Sequence, residues 1–500
     1  MSRPGAGLAA RLAGPLAAAA VMLGGPVVAL AHGLSPAYQS PLPLVIYLAG
    51  AASTVALSFI FILSRDVRAG PPDPGRIARV PAVVRVGLRV VGLLGWSWII
   101  AQGVIGGSSD AAVGELFLWI FGWVGIAVIS ALVFPIWEWL DPFTTIHDLL
   151  AWVLHRAGVR GPEPAVLPAA ARIWPAVAGL GFFIWLELVA IPANQQLALV
   201  CGGYTILTLA LMAQFGRDPW RAAGDTFTVW FRTLNRLAAI GVAPSGDPRA
   251  DADAVDRESV LRRSFLSGLL DSSWEVPRVV LVAFGTGSII FDGLSQTVVF
   301  ASAFGAPQLV AKTLLLIAFL GVVSGAALLV ARTVSPGAIG AGLVPIAVGY
   351  LVAHYLTYLL LGGQRIVIAI SDPLQQGWDL FGTAFFELGS DWLPPGLVWT
   401  VQLAAVVGGH MLGAYAGHVT AQRDLAAEDA DDRGREARDL RHRRIPEPAP
   451  LPERNVNVRA REIPLAVVMV ALTTITLWSL GQAIVVEPED QAGTRVVRAL

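Results

Sequence analysis

QLVAKTLLLIAFLGVVSGAALLVA, residues 308–331, carries a single charge, Lys312, across its whole length. A helix needs about 20 apolar residues to cross the hydrocarbon core of a bilayer. This stretch is long enough, and it is too apolar to sit on a soluble surface. Nine further segments of the same kind flank it, near 42–64, 87–107, 115–137, 174–192, 195–215, 279–301, 340–362, 397–421 and 463–485. The pattern predicts an all-α, polytopic bundle of about ten transmembrane helices. Composition agrees: 55% of residues are hydrophobic and 14% are charged, where soluble domains carry about 25% charged residues. The lipid bilayer is therefore the first partner. A net charge of −1 gives no basic surface for nucleic acid. Cys201 is the only cysteine, which excludes an internal disulfide and a cysteine-rich metal site.

Residues 1–31 place Arg3 and Arg11 before an apolar run that ends in Ala29-Leu30-Ala31. That is the layout of a signal peptide, and cleavage after Ala31 makes His32 the first mature residue. The alternative is an uncleaved first helix. Both leave His32 outside the cytoplasm. Arginine sets the orientation of the rest. Arg65, Arg68, Arg76, Arg79 and Arg85 follow the first span. Arg217 to Arg263 follow the fifth, and Arg433 to Arg444 follow the ninth. Loops rich in arginine stay cytoplasmic, so both mature termini lie outside a bacterial cytoplasmic membrane. The bundle then covers 32–421 with a cytoplasmic loop at 216–275. A charged, flexible cytoplasmic loop covers 422–462, a last span 463–485 and an external tail 486–500.

Asp-Pro followed five residues later by Asp occurs three times: DPFTTIHD (141–148), DPWRAAGD (218–225) and DPLQQGWD (372–379). An aspartate before proline is a good helix start, because its carboxylate caps free N–H groups and proline loses no bond there. Apolar residues then recur at helical spacing, such as Phe143, Ile146, Leu150 and Val153. The expectation is three interfacial amphipathic helices, the first two on the cytoplasmic side and the third outside.

Ionisable side chains within a span are costly and mark function. Glu187, Asp292, His354 and His410 stand in spans four, six, eight and nine. At 1.5 Å per residue they lie about 8, 13, 12 and 20 Å below the outer surface, and His418 about 31 Å below it. The first four are expected to share an outward-facing pocket. Imidazole with carboxylate suits copper, zinc or iron, or a proton relay. A freed His32 would add an amine and an imidazole, a pairing that suits copper. Taken singly, each residue has a plain alternative: a histidine bonded to a carbonyl, Asp292 capping a helix broken at Gly293, Glu187 facing water. Lys312 could pair with Asp292 or snorkel to the headgroups. No P-loop, dinucleotide fingerprint, H-E-x-x-H or G-x-S-x-G is present.

At these residues the chain resembles a family of actinobacterial-type polytopic membrane proteins often labelled fenitrothion hydrolase. The resemblance lies in AHGL (31–34), WLEL (185–188), FDGL (291–294), AHYLTYLLLGGQ (353–364), SDPLQQGWDLFG (371–382) and GGHMLGAYAGH (408–418), and spans residue 31 to about 420. The label implies hydrolysis of a lipophilic organophosphate ester by a metal-activated water, with no catalytic set to carry over. The His-x-His pairs of soluble phosphotriesterases are absent. Three functions follow as expectations: a metal-dependent membrane hydrolase, a transporter of metal ions or small solutes, and an electron carrier with haem b held by His354 and His410.

Overall fold

Within hydrocarbon a backbone must satisfy its own N–H and C=O groups, and long apolar runs free of turn residues do so as helices. A computed structural model describes residues 44–63, 75–107, 112–159, 161, 163–244, 255–270, 274–442 and 458–480. The principal helices are α1 (Leu44–Leu63), α2 (Ala82–Ile105), α3 (Val113–Leu132), α4 (Pro142–Arg156), α5 (Trp174–Ala190), α6 (Asn194–Phe215), α7 (Arg217–Ala223), α8 (Thr226–Asn235), α9 (Val276–Ser295), α10 (Leu309–Thr333), α11 (Pro336–Ser371), α12 (Pro395–His442) and α13 (Val458–Leu480). Among the described residues, eight helices are long and apolar enough to cross a membrane. The expected first and fourth spans coincide with α1 and the shorter apolar α5.

Two segments depart from the sequence reading. The loop expected at 216–275 is partly built: α7 and α8 pack on the bundle, and β2 (Ile240–Pro244) and β3 (Val255–Arg262) pair antiparallel. β1 (Arg76–Arg79) joins the far edge of β3, giving the order β1-β3-β2. Short alternating segments such as SVLR read as loop beside the spans, and pairing with β2 close in sequence and with β1 about 180 residues back reveals them as strands. The loop expected to be flexible from 422 is helical through His442. Ala, Glu, Arg and Asp dominate that stretch, and alanine, glutamate and arginine sustain a helix without tertiary help.

The centre of the bundle is α11, whose residues 337–351 are almost all buried. It lies antiparallel to α12 along a glycine seam. A Cβ on Gly349 would stand 2.4 Å from the Ala405 carbonyl oxygen, and one on Gly413 2.4 Å from the Gly342 oxygen. Backbones that touch this closely admit glycine alone, the small-residue packing that replaces hydrophobic drive inside a membrane. α13 closes the third side, with Met469 against Gly342 and Leu465 against Gly417. Three helices carry π-helical turns: Leu116–Ile126 in α3, Leu186–Ala190 in α5 and Tyr358–Gly362 in α11. α5 ends at Ile191, a β-branched residue held at φ 43°, a left-handed conformation that costs such a residue free energy.

Candidate functional site

Asp292 stands in the last turn of α9, and His354 and Tyr355 near the end of the regular part of α11. Both elements are deep in the bundle, so Asp292 must find its partners within the protein. His354 Nε2 lies 2.9 Å from Asp292 Oδ2, and the Tyr355 hydroxyl donates to the same oxygen at 3.0 Å. Gln296, one turn on from Asp292, donates to Oδ1 at 2.8 Å. The His354 ring is 17% exposed. Gly293 leaves room beside it: a Cβ there would lie 3.4 Å from both His354 Cε1 and Ser479 Oγ. Ser479, in the last turn of α13, gives its proton to the Thr476 carbonyl.

Two further ionisable groups surround the pair. Glu187 is buried in the π turn of α5, with Oε2 lacking any hydrogen-bond partner among the described residues, and lies within electrostatic reach of Asp292. Lys312 of α10 also senses the Asp292 charge but forms no ion pair with it among the described residues. The structure thus joins two of the expected residues, Asp292 and His354, and sets Glu187 within electrostatic reach of Asp292.

His410 stands apart. Gln402 of α12 donates to the Ala353 carbonyl at 2.8 Å, which places His354 level with residue 402. His410 is eight residues farther along α12, about 12 Å at 1.5 Å per residue. It packs against the Tyr350 ring, holds the Val406 carbonyl through Nδ1 at 2.8 Å, and leaves Nε2 buried with no partner among the described residues. Metal–nitrogen bonds are about 2 Å, so one ion does not take both histidines. The expected sharing of one pocket by His354 and His410 is corrected by this offset, which follows from the antiparallel register of α11 and α12. The backbone contact at Gly349 and Gly409 also leaves no slot for haem b between them. Among the described residues, no three His, Cys, Asp or Glu are grouped to hold a metal ion. His32 lies outside the described residues.

A second ionic cluster occupies the other end of the bundle. Arg221 of α7, 1% exposed, gives Nη2 to Glu138 Oε2 at 2.9 Å and Nε to Asp141 Oδ2 at 3.0 Å. Arg232 of α8 gives Nε to Glu138 Oε1 at 2.6 Å. Burial alone pushes the Glu138 carboxyl up, but Arg232 and Arg221 outweigh it and hold the group well below the usual range. Nearby, Asp148 bridges Arg217 at 2.8 Å and Arg89. Burial also opposes ionisation of Asp148, and bonds from His147, Arg217 and Arg89 again hold its pKa down.

This cluster corrects the expected repeat. Asp141 does cap α4, accepting from the Thr144 N–H at 3.1 Å. Asp218 caps nothing, since α7 begins at Arg217. The cap equivalent to Asp141 is Asp225, which accepts from the Thr228 N–H at 3.0 Å and starts α8. The repeated unit is therefore DPFT (141–144) and DTFT (225–228). Its two phenylalanines flank one tyrosine: Phe143 and Phe227 pack edge-on to Tyr204 at 5.2 and 5.6 Å. The third expected helix start, Asp372, follows a helix instead. It accepts from the Gln376 and Gly377 N–H groups and folds a loop, because Gly377 at φ 77° ends any helical path.

One pair was invisible in the sequence. His418 Nδ1 lies 2.6 Å from Glu462 Oε2, both fully buried, and Gln422 meets His418 Nε2 at 3.1 Å. Glu462 opens the apolar part of α13 and reads as a loop carboxylate; its partner lies 44 residues earlier. Tyr355 and Gln296 were missed as well, although they stand one and four residues from the residues singled out.

No family model, curated protein or solved structure matches the chain.

Proposed function

We propose that the chain is a multi-pass membrane protein that moves a solute across the bilayer, with protonation of the Asp292–His354 pair as its coupling step. One observation carries the reading: Asp292, buried among apolar helices, is met by an imidazole, a phenol and an amide, while a second carboxylate, Glu187, lies within electrostatic reach with one oxygen unpartnered among the described residues. Carboxylate and imidazole groups of this kind inside a membrane mark ion and proton paths. The arginine-rich loops support an outward-facing pair and external mature termini, the apolar segments support ten spans, and Ala29-Leu30-Ala31 supports removal of the leader after Ala31. A metal ion, copper included, or a small lipophilic solute is the cargo class that fits these groups.

The test is proton movement in liposomes holding a pH-sensitive dye, with copper(II) chloride added outside and a potassium diffusion potential imposed. The wild-type protein should shift luminal pH faster than protein-free liposomes, and Asp292→Asn should not. Equal rates for wild type and Asp292→Asn overturn the reading.

A second reading, hydrolysis of a lipophilic phosphate ester as the family resemblance implies, has one observation in its favour. Asp292 engages His354 through Nε2, which directs Nδ1 elsewhere, the arrangement in which a carboxylate orients a metal-bound histidine. It requires a metal that co-purifies with the protein and is lost in His354→Ala together with triester turnover.

A further inference from the structure

Three histidine levels succeed one another at equal steps along α12: Gln402, opposite the partly exposed His354 of α11, then the buried His410, then the buried His418. Each step is eight residues, about 12 Å. The far level is the His418–Glu462 pair, where Glu462 Oε1 is buried without a partner among the described residues. The middle level is His410, whose Nε2 is likewise buried and unpartnered among them. Between them and the Asp292–His354 level runs a buried hydroxyl row on α13, Thr473, Thr476 and Ser479, three residues apart and so on one face. Each hydroxyl spends its proton on a carbonyl of its own helix, which leaves its oxygen lone pairs as acceptors. Tyr350, beside His410, reaches α13 at the Leu472 carbonyl. Polar atoms left bare in such a place call for water or a mobile proton.

We infer that Glu462 and His418 form a second proton-exchange station, joined to Asp292–His354 by way of His410, so that α11, α12 and α13 enclose one path from end to end. The inference rests on the transport reading and adds its other terminus. The proton bound at Asp292–His354 passes to His410 through water, then to His418, and leaves from Glu462, each group returning to its starting state as the next proton arrives. Met469, packed against Gly342 at the level between His410 and His418, is the apolar constriction on that route.

The same dye-loaded liposomes test it. Glu462→Gln keeps volume and a hydrogen bond to His418 but removes the exchangeable charge. It should fall to the rate of protein-free liposomes, Glu462→Asp should recover part of the wild-type rate, and Thr474→Val, off the row, should match wild type. Wild-type conduction by Glu462→Gln beside a silent Asp292→Asn overturns this inference and leaves the transport reading standing. A silent wild type overturns both. Should Glu462→Gln fail to reach the membrane, His410→Phe keeps the ring volume without its nitrogens; it should block, and a conducting His410→Phe overturns the path.

Discussion

The Arg221 cluster and the Asp292 cluster both bury carboxylates, and they treat them in opposite ways. Around Arg221, Glu138 accepts from two guanidiniums and Asp141 from one guanidinium and its own cap. Among the described residues, Asp292 meets an imidazole, a phenol and an amide, and one Glu187 oxygen has no partner. The first arrangement locks charge, since arginine does not give up its proton. The second is built from groups that both accept and release protons, an imidazole and a carboxylate. Burial alone does not separate architecture from chemistry; the nature of the partner does.

Removing a partner breaks the contrast most severely at Arg221. Arg221→Ala strips Asp141 of its guanidinium and Glu138 of one of two in the interior, and should cost about 3–5 kcal/mol, read as a large drop in the thermal midpoint of the purified protein. Asp292→Asn, by comparison, should leave that midpoint near wild type while abolishing conduction. The seam between α11 and α12 comes next. Gly349→Leu must push Ala405 away, a cost of about 1–3 kcal/mol, and should separate Gln402 from the Ala353 carbonyl, seen as lost activity together with a lowered midpoint. Asp225→Ala removes the α8 cap and should cost about 1 kcal/mol.

Acid sharpens the same comparison. Glu138 titrates below its ordinary value of 4.5 in the folded protein. Its contribution is therefore complete above pH 4.5 and drains away as the pH falls below that. Acid unfolding in that range should be abolished as a distinct step in Glu138→Gln, followed by tryptophan fluorescence. The smallest effect belongs to Glu187→Leu, which removes an unanswered buried carboxylate and should hold or raise the midpoint, as replacing costly functional groups commonly does.

Helix placement was legible because hydrocarbon length imposes a plain pattern on the sequence, and α10 is the clearest case. The Asp292–His354 pair was legible in part, since charge within a span is rare enough to single out. What the sequence hid was register. Nothing in GGHMLGAYAGH tells how far α12 slides along α11, and that offset carries His410 away from His354. Repeats misled for a related reason: proline drew the eye to Asp218, while the residue that starts a helix is Asp225, recognisable by a threonine three positions later. Pairings across long separations, such as His418 with Glu462 or β1 with β3, leave no local mark.

Glu187 owes its present direction to the widened turn Leu186–Ala190. Such a turn holds one amino acid beyond what regular winding requires. Regular winding advances each residue by about 100° around the axis, so squeezing that extra one out would swivel whatever follows by roughly that angle. The strained Ile191 sits at the very point where the swivel would be absorbed. Glu187 is thus mounted on the part of its helix best able to rotate.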